Sequence, residues 1–219
     1  MVANSNKISL GKGEIYHIFS KSIAGFEIFR KDSEYERMKN LLKYYKLENP
    51  PLKFSTFTEI KNKKDFFQRH LISKRSLVDI IAYCFMPTHF HLILEQLNEN
   101  GISVFMSNIL NSYTRYFNVK TKRKGPLWES RFQRILVETD EQLLHLTRYI
   151  HLNPVTAYLV DKPQDWKFSS YKEFLQEDRE KICNYSKVLE INSQNYKEFV
   201  NIQIDYQREL ARVKKLFLE

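Results

Sequence analysis

Two histidines separated by one residue, His89 and His91, stand in the β-forming run His89-Phe-His-Leu-Ile-Leu-Glu-Gln96. On a strand successive side chains point to opposite faces, so both imidazoles emerge on one side and Phe90 on the other. Two imidazoles so placed can bind one divalent metal, but a His-x-His pair also occurs at the polar end of ordinary strands, and the spacing alone does not choose. Further along, Tyr149 and Asn153 are four residues apart in a stretch of helical periodicity, hence neighbours on one helical face, with His145 a turn earlier. A tyrosine hydroxyl offers a nucleophile and a carboxamide oxygen a hard metal ligand. The bland alternative makes Tyr149 a core residue and Asn153 the end of a helix before Pro154. Together, two His, a Tyr and an oxygen ligand supply what metal-assisted phosphodiester transfer needs: an ion to polarise the phosphate and a nucleophile in line with the leaving oxygen.

The elements that must position these residues can be read from periodicity. Glu14 to Ser22 sets Ile15, His17 and Phe19 on one face against Tyr16, Ile18 and Ser20, a first strand. Tyr35, Met38, Leu41, Leu42 and Tyr45 recur at helical steps behind an Asp32 or Ser33 cap, and Asn49-Pro50-Pro51 ends that first helix. Residues 50–76 have no clean period and read as an irregular basic insertion with one short helix. Residues 78–86 and 89–96, joined by Pro87-Thr88, form a hairpin at the centre of a sheet. A second helix covers residues 103–118, and a strand covers 134–138. A third helix starts at Asp140 and stops at Asn153-Pro154. The order β, α, β, β, α, β, α is that of an α+β, ferredoxin-like antiparallel sheet with helices on one face. Trp166 to Phe174 reads as a docking segment. A soft boundary near residue 176 separates a catalytic domain, 1–176, from a charged helical extension, 177–219.

The 219 residues carry 35 Lys and Arg against 26 Asp and Glu, a formal charge of +9. With 42% hydrophobic and 14% aromatic residues, five glycines and six prolines, disorder and collagen are excluded. Apolar stretches such as 77–87, which carries Asp79, fall far short of the ~20 residues of a membrane span. The first 17 residues hold no apolar core of about 7–15 residues, so no secretory signal is read and a cytoplasmic location is expected. Cys84 and Cys183 lie far apart and are expected to be reduced and structural. The positive charge favours a polyanionic partner through counterion release.

Three ordered motifs go further. Tyr83-Cys-Phe-Met-Pro-Thr-His-Phe-His-Leu-Ile93, Gly125-Pro-Leu-Trp-Glu-Ser-Arg-Phe132 and Arg148-Tyr-Ile-His-Leu-Asn-Pro-Val-Thr-Ala157, followed by Trp166-Lys-Phe-Ser-Ser-Tyr171, resemble the IS200-like (Y1) transposases, and among these the REP-associated tyrosine transposases. The resemblance spans residues 14–175 and implies membership of the HUH endonuclease superfamily. It implies that His89, His91 and Asn153 hold Mg²⁺ or Mn²⁺, and that Tyr149 attacks a phosphodiester of hairpin-containing single-stranded DNA. A 5′-phosphotyrosine link forms, and a later 3′-OH attack transfers the strand. Some relatives carry Gln at the Asn153 position; Thr88 and Thr156 stand where Asn and Arg are frequent. The resemblance also allows a homodimer.

Tyr113 and Tyr116 compete as nucleophiles, but their aromatic neighbours and helical spacing favour packing or base stacking, and only Tyr149 has an oxygen ligand four residues on. His145, His151 and a metal-bound water are the candidates to take the Tyr149 proton, and the sequence does not choose among them. Lys122, Arg123, Lys124, Arg131, Arg134 and Arg148 are candidate phosphate contacts, which would position a strand without specifying it. Two other readings stay open: a non-catalytic single-stranded nucleic-acid binding module, and a hydrolase that uses metal-bound water.

Overall fold

In a computed structural model, which describes residues 10–178 and 180–216, the central strand is β1, Ile15–Lys21. It pairs antiparallel with β3, His89–Gln96, on one side and β4, Gln133–Val137, on the other. The hairpin partner β2, Val78–Met86, completes the order β2-β3-β1-β4. The N-terminal stretch read for a signal lies largely outside the described residues.

Alternation along β1 decides what each face of the sheet does. Tyr16 and Ile18 point with Phe90, Leu92 and Leu94 into a core built with α1, Asp32–Tyr45, and α4, Gly101–Lys120. Each of these fully buried Leu, Ile or Phe side chains contributes roughly 1.5–3 kcal/mol of transfer free energy. The α+β ferredoxin-like sheet is thus as expected, and α1 and α4 share one face. The third long helix, α5, Asp140–Thr156, corrects the one-face arrangement. Its Leu143, Ile150 and Val155 pack with Cys84, Met86 and Ile93 across the opposite face.

Local differences have local causes. The α1 cap is neither Asp32 nor Ser33. Asp32 is already helical, and the buried Glu34 carboxylate accepts from Arg30 N at 2.6 Å and Lys31 N at 3.0 Å, closing the first turn. The 50–76 insertion holds two short helices, α2, Phe54–Glu59, and α3, Lys63–His70, tied together by aromatic contacts among Tyr44, Phe54, Phe57 and Phe66. The hairpin is not central: β2 is an edge strand. Its free edge is covered by the 166–171 segment, where Phe85 N donates to Phe168 O and Ser170 N to Tyr83 O, both at 2.9 Å. Covering an edge in this way removes a template for unwanted strand pairing.

Helix α5 does not stop at Asn153-Pro154 but runs through Pro154 to Thr156. A proline this close to the end forfeits one hydrogen bond and leaves only a short stub to disturb. Beyond it, α6, Tyr171–Phe174, α7, Ser193–Asn201, and α8, Ile204–Leu216, follow, with α7 and α8 packed on α5. Ile182, Leu189, Tyr196 and Val200 are buried, so residues past 176 add to the core. No helix of the described residues is long and apolar enough to cross a membrane.

Candidate active site

The sheet face under α5 collects three imidazoles. His89 and His91 alternate along β3, and Phe19, opposite His91 in the register, brings His17 onto the same face two residues earlier. His17 Nε2 and His91 Nδ1 are 2.9 Å apart, with the rings stacked at 5.1 Å. Thr88 Oγ1 is 3.0 Å from His89 Nδ1. The His89 and His91 rings lie 5.2 Å apart, nearly perpendicular. Both Nδ1 atoms are thus engaged; where the neighbour accepts the Nδ1 proton, the Nε2 lone pair is left to ligate, which is how a second group orients a ligating histidine.

The electrostatics suit that role. Burial lowers the His17 pKa to about 4. Burial, helped by the nearby Lys21 charge, does the same for His89. His91 is held well below the usual value by burial, then by His17, His89 and Lys21. All three rings are neutral at pH 7, with lone pairs available. Lys21, exposed and directly opposite His89 in the register, places a cation beside them.

Over this face α5 carries Tyr149, whose ring meets those of His91 and His17 edge-on at 5.9 and 6.4 Å. Tyr149 is 45% exposed as a residue, so its side chain can be reached from solvent. Burial of the remainder raises its pKa, and the Asn153 side chain one turn on acts in the opposite sense. The Asn153 Nδ2 is nonetheless buried without a hydrogen bond of ordinary geometry, so its effect on the phenol comes from a looser approach. The Nδ2 of Asn153, one helical turn from the Tyr149 phenol, is thus a buried donor still lacking a partner. Among the described residues no three His, Cys, Asp or Glu side chains form a metal cluster. Two imidazoles and a carboxamide oxygen nevertheless fit the needs of a divalent ion such as Mn²⁺ or Mg²⁺.

The position of α5 is set from behind. His151, completely buried, bonds Tyr196 Oη through Nδ1 at 2.6 Å and Ser170 Oγ through Nε2 at 2.8 Å, and burial lowers its pKa to about 3. Both of its nitrogens are engaged away from Tyr149, which corrects its candidacy as proton acceptor. His145 is exposed, 2.7 Å from Arg148 Nη2 and edge-on to Phe199, and its contacts lie with the helical extension rather than with the His89–His91 pair. Of the competing tyrosines, Tyr113 is fully buried and donates to Ile28 O at 2.6 Å, and Tyr116 is on the same helix, across the sheet from His89.

Among the candidate phosphate contacts, Lys122, Lys124 and Arg131 are exposed. Arg123 instead staples its own loop, donating to Asn118 Oδ1 at 3.1 Å and Pro126 O at 2.6 Å, and Arg148 lies over Phe199 at 4.2 Å. Arg134 lies half-buried on β4. The sequence did not single out His17 or Lys21 as site residues. The alternation of β1 did place His17 with Phe19 on one face, but only the β1–β3 register brings that face to His91.

The model of the family described as Transposase IS200 like matches residues 53–153. A REP-associated tyrosine transposase of Haemophilus influenzae is 26% identical over 103 residues, covering 42% of this chain and 58% of that protein. The chain thus spans little more than half the length of that relative. A solved structure described as a REP-associated tyrosine transposase bound to a REP hairpin superposes with a TM-score of 0.50 at 14% identity, covering 84% of this chain and 96% of the other. At that identity the likeness establishes the fold.

Proposed function

We propose that this chain, whose residues 53–153 match the IS200-like transposase model, is a member of that family and a metal-dependent enzyme that nicks and transfers single-stranded DNA, with Tyr149 as nucleophile and hairpin-containing DNA as substrate. The observation that carries this reading is convergence. A tyrosine from α5 and a histidine from β3, remote in sequence, bring their rings within 5.9 Å on an otherwise covered sheet face, with the phenol still open to solvent.

In this reading His89 and His91, through Nε2, and Asn153, through its carboxamide oxygen, would hold Mg²⁺ or Mn²⁺. The ion would withdraw charge from the non-bridging phosphate oxygens. His17 keeps His91 in the tautomer whose Nε2 is unprotonated, by accepting the Nδ1 proton at 2.9 Å. Lys21 adds positive charge where the phosphate would lie. The Tyr149 oxygen attacks phosphorus, its proton passes to water because the three imidazole lone pairs are already committed, and the 3′-oxygen takes up a proton from water and departs as a hydroxyl. The product is a 5′-phosphotyrosine ester, which a 3′-OH of another strand attacks in turn, so the bond energy is conserved through the transfer. A hydrolase that uses water in place of Tyr149 is disfavoured because the phenol, not an open gap, faces the imidazoles. Hairpin DNA is taken as the substrate by analogy with the solved relative, and the reaction is placed in the cytoplasm.

Incubation with labelled hairpin-bearing single-stranded DNA and Mn²⁺ tests the reading. The wild type is expected to give an SDS-resistant protein–DNA adduct that Tyr149→Phe, which retains the ring and loses only the hydroxyl, does not form. An undiminished adduct in that variant removes Tyr149 from the proposal.

A further inference from the structure

The face of α4 turned away from the sheet carries two adjoining cavities, of about 640 and 1110 Å³. The first lies among α1, α2 and α4; the second runs from α4 to the 126–132 loop and β4. Both are lined by Asn108 and Asn111, so they form one trough along α4. Not one Asp or Glu lines either cavity, although the chain has 26, while Arg37, Lys53, Arg115, Lys120, Arg131 and Arg134 do. Lys120 is partly answered by Glu34 at 3.0 Å. Arg37 is held between two rings, 4.4 Å from the Phe54 centroid and 5.0 Å from that of Tyr116, and its Nε is buried without a hydrogen-bond partner.

Cations set among partly exposed aromatic rings suit a ligand that offers both negative charge and flat faces. Single-stranded DNA has both, whereas a duplex hides its base faces and an acidic peptide has none. The trough ends at β4, the sheet edge next to β1, which carries His17. The other edge, β2, is covered by the 166–171 segment, which leaves β4 as the way round from the catalytic face to the α4 face. We propose that this trough is a second DNA-contact surface, which holds the single-stranded segment leaving the catalytic face over the edge of β4. Phosphates lie against Lys53, Arg115 and Arg131, and bases stack on Tyr116 and its neighbours. The proposal rests on the preceding reading only in taking DNA as the polyanion; it requires no cleavage.

The test is fluorescence anisotropy of the full chain with a labelled oligo-dT of about 16 nucleotides, across a salt series. Lys53→Ala with Arg115→Ala, both exposed, is expected to weaken binding at least about tenfold and to lower the slope of log K against log salt by about 1.4, since two phosphate contacts are lost. The same charge change outside the trough, Lys162→Ala with Lys181→Ala, is expected to leave affinity within about twofold. Tyr116→Leu is expected to weaken oligo-dT without changing the salt slope. Equal losses from both charge pairs, no loss from the trough pair, or displacement of oligo-dT by polyglutamate as readily as by unlabelled oligo-dT would each overturn the proposal. Tyr149→Phe separates the two readings. If the wild type forms no adduct but oligo-dT binding depends on the trough, the catalytic reading falls and the trough stands; if adducts form and the trough variants bind normally, the trough alone falls.

Discussion

Replacing His17 by Phe isolates the contribution of a residue that touches no substrate. The substitution keeps an aromatic ring in the stack at 5.1 Å from His91 and removes the nitrogen 2.9 Å from His91 Nδ1. Two losses result. The hydrogen bond itself is worth about 1 kcal/mol, and the His91 Nδ1, only 6% exposed as a residue, is left as a buried unpaired group at a cost of roughly 1–3 kcal/mol. His91 escapes part of this by turning or by taking the tautomer that protonates Nε2, and either response withdraws the metal donor. At 1.4 kcal/mol per factor of ten, a penalty of 1–3 kcal/mol falls on metal affinity as about 5- to 150-fold, in line with the roughly 10–100-fold typical of outer-shell partners. Mn²⁺ titration followed by electron paramagnetic resonance on DNA-free protein at pH 7.5 measures it, with circular dichroism to verify folding. His17→Gln, which restores an acceptor, should recover part of the affinity. A His17→Phe protein that binds Mn²⁺ within twofold of wild type refutes the positioning role. A wild type with no Mn²⁺ affinity removes the metal site altogether.

Other expectations follow from the same contacts. His17, His89, His91 and His151 all have folded-state pKa values depressed by burial. The unfolded chain therefore takes up protons first, and stability that is full above about pH 6.5 is lost as pH falls towards 4. At pH 5 each fully coupled histidine costs up to about 2 kcal/mol, so urea midpoints of the metal-free protein should fall steeply between pH 7 and 5, and a flat profile contradicts the burial. Tyr196→Phe removes the partner of His151 Nδ1 and should destabilise the fold by about 1–3 kcal/mol in denaturant melts; no change would mean that α7 does not anchor α5. At Gly101 an added Cβ would press into Leu77 O, a backbone atom that cannot swing aside. Gly101→Ala should therefore lower stability by about 1–3 kcal/mol, and an equally stable variant would show that the start of α4 can shift.

The elements were legible wherever side chains fell into a simple period, and so were the four proposed site residues, because His-x-His on a strand and Tyr-xxx-Asn on a helix are local patterns. What was not legible depended on contacts between segments. His17 became part of the site only through the β1–β3 register, which no single strand encodes. Helix α5 crossed to the other face because its apolar residues fit the Cys84, Met86 and Ile93 surface, a complementarity invisible before the sheet is assembled. His151 looked like a base on sequence grounds; its two partners, Tyr196 and Ser170, come from the extension and the edge segment. Between residues 50 and 76 one short helix was expected and two, α2 and α3, are present; the second was not legible because their aromatic residues serve one another and Tyr44 rather than forming a stripe.

The central claim is that a covalent bond forms at one tyrosine. Trypsin cleaves after Arg148, so a digest of the protein–DNA adduct yields a peptide that begins at Tyr149. Tandem mass spectrometry of the nuclease-trimmed adduct is expected to find the nucleotide on that peptide, with fragment ions placing it on Tyr149 rather than Tyr158. A nucleotide on Tyr116 or any other residue, or DNA cut with no residue modified, would contradict the account.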